Sequence, residues 1–505
     1  MKNYQFGNHI CELRRKAGFS QFQLGRLVGV SDKAVSKWEN GDAKPRIDTC
    51  YRLAEVLGVS LRELLASGTT LAKSKLDKLK MQQWKEAQKR LSLFGDVPPV
   101  LCRCRFEAEK AALAETDAIL SLTLLAQITK EANRRNTVVL DIGQTASSFV
   151  AWLLSASAVN PLPPHYRCPN CGTTEFISSV RDGFDLTFKR CSCGTEMVHD
   201  GHNLPHCVYT RSAQRNAGIR CRLAPSFLPV AAQMVRDFYQ GNATILPVKI
   251  SDYNQDALRA AEIYVVMTGR DDLPPLYNGF WHTDSASFWD WWREETIYEF
   301  IPDKQLGALS FPQGHLPDPI KQLTPETAEA LYQKRCMDPK HFAASIAQQS
   351  ATFPHTFHLL MQLDGFSYSS GLWADPYEIR SKEIQHCNRK ILVEEGQADF
   401  LDIPAFCEDV WNDIRTALSN NGIYYDELAF EVMENARKGI YCFSGMPDEL
   451  SGMLHALSLP GWYPEYLGKV RYLSSKGVCI SKLLLDIIFL ELSQHEKAST
   501  RPSYT

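Results

Sequence analysis

Between Phe6 and Leu65 the chain is cut into short helical pieces by glycine. That punctuation constrains the fold more than any other feature of its 505 residues. Phe6, Ile10, Leu13 and Ala17 recur at intervals of four, three and four, which puts them on one face of a helix. Gly18 ends it. Ser20 with Gln23 three positions later is a capping box, opening a second helix whose Leu24 and Leu27 are expected inward. Gly29 makes a turn, Ser31 caps a third helix with Val35 and Trp38 toward the core, and Gly41 stops it. Ile47, Cys50, Leu53, Ala54 and Leu57 repeat at helical spacing, and a short last helix is expected from Ser60 through Leu65.

Five short helices with a glycine turn between the second and third describe a helix-turn-helix. The runs FSQFQLGRLVGVSDKAVSKWENG (19–41) and LAEVLGVSLRELL (53–65) closely resemble the Cro/C1-type, phage-repressor helix-turn-helix family. The resemblance implies binding to double-stranded DNA, with the third helix in the major groove. Its base-reading positions are then Asp32, Lys33, Ser36 and Lys37, where a lysine can donate to guanine and Asp32 can accept from cytosine. Gln21, Ser31 and Asn40 fall where the family contacts phosphates, which fix register and not sequence. A homodimer on a two-fold site is the expected partnership.

A chain of this length is expected to hold about three domains. With 44% hydrophobic and 22% charged residues it reads as globular, neither disordered nor membrane-embedded. The most apolar run, 478–492, carries Lys482, Asp486 and Glu491 and is shorter than the ~20 residues of a bilayer span. No apolar leader is visible at the start, so a cytoplasmic location and no membrane contact are expected. The formal charge of −3 hides an asymmetry: the first hundred residues carry 18 Lys and Arg against 10 Asp and Glu. The head is therefore +8 and the remainder −11, which puts nucleic-acid contact at the head. Residues 71–95 read as a basic amphipathic helix with Leu76, Leu79 and Trp84 as its apolar stripe, and Gly95 with Pro98-Pro99 marks a boundary.

Fifteen cysteines are too sparse for a disulfide scaffold. Four of them are patterned: Cys168-Pro-Asn-Cys171-Gly, then Cys191-Ser-Cys193-Gly twenty residues on. Thiolates in tight turns followed by glycine can converge on one ion, and four of them make a closed, structural Zn2+ site. His199 and His202 are near enough in sequence to replace one ligand. Cys102 and Cys104 lack a partner pair, and LCRCRFEA is expected to be a strand.

The flanks of the cysteine pairs carry a second resemblance. Residues 146–172, with the run VNPLPPHYRCPNC at 159–171, and residues 183–205 resemble the palm and zinc knuckle of the PolC-type, C-family bacterial DNA polymerase III alpha subunit. Weaker similarity returns at TFHLLMQLDGFSYSSGLW (356–373), ELAFEVMENARKG (427–439) and PGWYPEYLGKVRYLSSKG (460–477), which resemble its fingers. Residues 240–350 do not align. The resemblance also implies what is missing. The family's metal-binding Asp-Ile-Asp falls on GIRCRLAPSF (218–227), where Arg220 and Arg222 take the two Asp positions. A guanidinium cannot ligate Mg2+ and stays charged. No Asp or Glu occurs from 207 to 236. The family's triphosphate-binding turn becomes Leu140-Asp141-Ile142-Gly143, with Ile142 at the arginine position. Its Lys-Ala-His-Ala becomes Lys476-Gly477-Val478-Cys479.

The sequence thus predicts a multidomain chain. An all-α helix-turn-helix domain (1–68) and a basic linker helix (69–97) lead into an α+β palm-like domain (98–300) with a zinc knuckle at 165–205. A mostly helical, fingers-like region (301–505) follows. The expected function is a sequence-specific DNA-binding protein, a transcriptional regulator with no catalytic residues. Its polymerase-like body would be inactive, serving as a sensor, dimerisation or partner-docking module. The alternatives are a divergent DNA polymerase (a nucleotidyltransferase) and a non-catalytic mimic that captures replication proteins. The aromatic run at 279–296 is expected to pack and not to stack bases.

Overall fold

The computed structural model describes residues 4–59, 64, 69–239, 243–250, 263–268, 281–283, 297–307, 319, 323–337, 356–369, 392–393 and 395–499. The chain divides into two compact units, Met1–Trp84 and Lys85–Thr505.

The first unit is helical. It comprises α1 (Tyr4–Lys16), α2 (Gln21–Val28), α3 (Asp32–Glu39), α4 (Ile47–Leu57) and most of α5 (Thr69–Lys89). Ser20 Oγ accepts from the Gln23 amide while the Gln23 side chain accepts from the Ser20 amide, so the capping box starts α2. Gly29 closes α2 in the left-handed region (φ 76°), and Ser31 Oγ accepts from the Ala34 amide to start α3. The core gathers Ile10, Leu24, Val28, Val35, Trp38, Cys50, Leu53, Leu57 and Leu64. Two expectations change. Leu27 is 54% exposed and Val28 is buried in its place, because the i, i+4 partner of Leu24 is 28. Ala17 is exposed because it lies past the last turn of α1. The expected last helix, 60–65, lies outside the described residues apart from Leu64. Residues 71–89 are helical as expected, with Leu76, Leu79 and Trp84 half-buried.

In the second unit α6 (Val100–Leu113) holds Cys102 and Cys104, so the expected strand is a helix. Cys102, Phe106, Glu109 and Leu113 are buried at spacings of four, three and four, and that longer period overrides the five-residue alternation of Cys and Arg. α7 (Ala118–Arg134) is buried continuously from Ala118 to Leu125, the pattern of a central core helix. Next come β1 (Val139–Asp141), α8 (Phe149–Leu153), β2 (His165–Arg167), β3 (Thr174–Phe176), β4 (Val198–Asp200), α9 (His206–Arg215), β5 (Ile219–Leu223) and α10 (Leu228–Phe238). Strands β6 (Ala243–Ile250), β7 (Ile263–Thr268), β8 (Trp281–Thr283) and β9 (Ile297–Pro302) follow. Six strands form a mixed sheet in the order β1-β5-β9-β7-β6-β8, and β3-β2-β4 form a small antiparallel one. Of the aromatic run 279–296, only 281–283 is described.

Helices α11 (Pro325–Met337), α12 (Phe357–Ser369), α13 (Cys407–Asn420), α14 (Asp426–Arg437), α15 (Ile440–Ser444), α16 (Asp448–Ala456), α17 (Tyr463–Lys469) and α18 (Lys476–Ser499) complete the unit. One hydrophobic core joins them to Ala146, Val159, Phe184 and Leu204, so the cysteine-bearing segment and the carboxy-terminal helices are packed as one body. The apolar run 478–492 lies inside α18, with Cys479, Ile480, Leu483 and Ile487 buried. Two of its charges are paired: Arg335 bridges Asp364 at 3.1 Å and Asp486 at 3.2 Å, and Lys482 donates to Asp364 at 3.3 Å. Among the described residues no single helix is long and apolar enough to cross a membrane.

Candidate nucleic-acid interface and metal centre

The residues assigned to base reading lie along α3, Asp32 and Lys33 in its first turn and Ser36 and Lys37 in its second. Asp32, Lys33 and Lys37 are exposed and Ser36 is half-buried. Asp32 Oδ1 accepts from the Lys33 amide at 2.9 Å. Ser31 Oγ is engaged in its cap, and Asn40, the residue closing α3, reaches back to Ser36 Oγ at 3.4 Å. Gln21 does not point outward: its Nε2 donates to Glu39 Oε2 at 2.7 Å.

That contact belongs to a network that the sequence did not announce. Arg14 on α1 grips Glu39 at the end of α3 with two hydrogen bonds, at 2.6 and 2.9 Å, and donates to the Phe19 carbonyl at 2.7 Å. Burial alone would raise the Glu39 pKa, but hydrogen bonds from Arg14 and Gln21 hold it below its ordinary value. The three helices are thereby tied at one carboxylate. Gly7 permits it, since a Cβ there would lie 2.3 Å from the Glu39 carbonyl oxygen.

The four patterned cysteines converge. Their sulfur atoms all lie within 4.8 Å of one another, with Cys168–Cys193 at 3.5 Å and Cys171–Cys191 at 3.6 Å. Four thiolates at ~2.3 Å from a tetrahedral ion stand about 3.8 Å apart, so the donor set and spacing fit zinc. His199 contacts the Gly183 carbonyl and His202 is held by Asp182, so neither joins the cluster. The turns are made by Gly172 and Gly194, at φ 72° and 84°. Gly172 is doubly required, because a Cβ there would meet the Gly95 nitrogen at 2.1 Å. The Thr195 hydroxyl and amide lower the Cys193 pKa to about 5, favouring the ligating thiolate.

The third location is β5. Burial alternates along it: Ile219, Cys221 and Leu223 face the core, while Arg220 and Arg222 share the other face. Parallel pairing with β9 sets Arg220 beside Glu299, and Arg220 Nε donates to Glu299 Oε2 at 2.7 Å. Glu299 is fully buried, and its Oε1 has no hydrogen-bond partner among the described residues. Arg222 stands 3.5 Å from Asp303. Asp141, on the neighbouring β1, is turned inward and accepts from the Gly143 amide at 2.9 Å. Burial pushes its pKa up to about 6. The Asp141 carboxylate is thus folded under the loop that the resemblance aligns with the triphosphate-binding turn. Glu109 likewise fills the start of α8, accepting from Ser148 Oγ at 2.8 Å and from the amides of Phe149 and Val150 at 2.8 and 3.1 Å. Among the described residues the only cluster of metal-ligating side chains is the cysteine quartet.

Residues 12–64 match the helix-turn-helix family model. The chain is also similar to curated DNA polymerase III PolC-type proteins. It is 25% identical to that of Streptococcus agalactiae serotype III (strain NEM316), over 79% of this chain and 31% of the relative. Identity is 24% to those of Streptococcus thermophilus (strain ATCC BAA-491 / LMD-9) and Streptococcus pyogenes serotype M5 (strain Manfredo), with the same coverage. The chain therefore spans about a third of the length of these relatives.

Proposed function

We propose that the chain is a sequence-specific DNA-binding regulator of transcription that acts as a homodimer on a two-fold site. Its PolC-like palm and fingers body performs no nucleotide transfer and serves as its sensing, dimerisation or partner-docking module. The observation that carries DNA binding is α3: it presents Asp32, Lys33 and Lys37 to solvent along its length, while Arg14, Gln21 and Glu39 lock its orientation. Lysines four apart on one helical face suit a major groove lined by acceptors. In this reading Cys168, Cys171, Cys191 and Cys193 hold a structural zinc with no open coordination position.

Against an enzyme stands the β5 face. Two-metal phosphoryl transfer needs carboxylates that hold ions ~3.5–4 Å apart. Here the neighbouring carboxylate, Glu299, is neutralised by Arg220. Footprinting on DNA upstream of the gene tests the regulator. Lys33→Ala and Lys37→Ala are each expected to cost about 1–3 kcal/mol, roughly 5- to 150-fold in affinity. An unchanged footprint in both variants removes the assignment of α3. Primer extension with Mg2+ or Mn2+ tests the body, and incorporation that a carboxylate substitution abolishes overturns its inertness.

A further inference from the structure

A cleft of about 460 Å³ opens where the cysteine-bearing segment meets the carboxy-terminal helices. Its size is that of small-molecule sites, which run from ~300 to 1,000 Å³. Its apolar lining includes Pro163, Pro164, Ile177 and Val180. Also lining the cleft are Lys476, the first residue of α18, His358 near the start of α12, and Asn412 on α13.

The acidic groups around this cleft are already engaged. Asp182 holds His202 at 2.9 Å and Lys476 at 3.1 Å. Asp185 accepts from the amides of Phe357 and His358 at 2.7 and 3.0 Å. Asp409 accepts from those of Ala405 and Phe406 at 3.0 and 3.1 Å, and Asp402 pairs with Arg181. What remains to face a ligand is a set of donors. Lys476 is 5% exposed, and its ammonium meets only Asp182 and the His202 carbonyl among the described residues, leaving one of three protons over. Arg181 and Asn412 also line the cleft. His358 is buried, and its Nδ1 has no hydrogen-bond partner among the described residues. Burial, with Lys476 beside it, keeps that imidazole neutral, its pKa lowered to about 3. A buried polar atom without a partner carries a cost that a bound ligand can remove.

We propose that this cleft binds a small carboxylate- or phosphate-bearing molecule with an aromatic or otherwise apolar body. The anion sits on Lys476 and His358, and the body lies against Pro163, Ile177 and Val180. The site belongs to the larger unit and does not depend on what α3 reads.

Ligand-observed NMR on the full chain at millimolar concentrations tests it, with benzoate, indole-3-acetate and phenyl phosphate as probes and benzamide and benzyl alcohol as matched neutral controls. The acids are expected to bind and to displace one another, and the neutral pair to bind at least tenfold more weakly. Benzoate against phenyl phosphate shows which anion is preferred. Ile177→Trp fills the cleft from its apolar side and Lys476→Met removes the ammonium. Each is expected to weaken acid binding at least tenfold, with circular dichroism and melting reporting the fold. Because Lys476 also balances Asp182, a misfolded Lys476→Met leaves Ile177→Trp to decide. Absence of binding by every acid, equal binding of the neutral pair, or undiminished binding in folded Ile177→Trp overturns the proposal.

Discussion

Replacing Arg14 by Met keeps the aliphatic stem and deletes the guanidinium that joins α1 to α3. Glu39 then remains 8% exposed with Gln21 and the Cys11 thiol as its remaining side-chain donors, and the Phe19 carbonyl loses a partner. Breaking a buried pair from one side costs about 3–5 kcal/mol. Because Gln21 persists and the carboxyl can take up a proton, the lower end applies, about 3 kcal/mol. A unit of this size has about 4–12 kcal/mol in total, so the loss is a large share of it. At ~1.4 kcal/mol per tenfold, protection of the α1–α4 amides should fall roughly 100-fold in hydrogen-exchange mass spectrometry. Arg14→Met with Glu39→Leu should restore most of it, since no charge is then stranded. The pair also sets a pH dependence. Glu39 titrates below its ordinary value of 4.5 when folded, so its contribution is complete above that pH and is lost as pH falls through the folded value. Wild type and Arg14→Met should therefore converge in acid. Exchange in Arg14→Met within about threefold of wild type at neutral pH would refute the reasoning.

Chelation, or Cys168→Ser, should release one zinc per chain, read by metal analysis, and should deprotect β2–β4 while leaving α1–α4 unchanged. Arg220→Met should destabilise the larger unit by about 3 kcal/mol by stranding Glu299, and adding Glu299→Leu should recover it, as read by urea melts. Asp141→Asn should stabilise the larger unit at pH 8. The folded carboxyl titrates near 6, above its unfolded value, so the wild type carries the full cost of ionising it above about pH 6 and none below its unfolded value. The advantage of the variant should shrink as pH falls from 6 toward 4, as read by melting temperature across pH.

What was legible in the sequence was local. Ser20 with Gln23, and Ser31 ahead of Ala34, announce helix starts because a cap spans three residues. The cysteine quartet was legible because each pair closes its own turn with a glycine. What stayed hidden depends on distant partners. Arg14 finds Glu39 across 25 positions and Arg220 finds Glu299 across 79, and no spacing rule connects them. Cys102 and Cys104 misled because an alternation five residues long is compatible with either period until Glu109 and Leu113 extend the helical one. Four strands of the main sheet, β6 to β9, fall within the stretch that resisted alignment.

The bond between Arg220 and Glu299 also restricts how the strand pair can change. Exchange the arginine alone for an acid, and two carboxylates share one buried spot with nothing between them. Remove the glutamate alone, and a guanidinium loses the group that balances it. Neither single step is comfortable, so the strand pair acts as a ratchet: either position is exchanged at least cost when both change together.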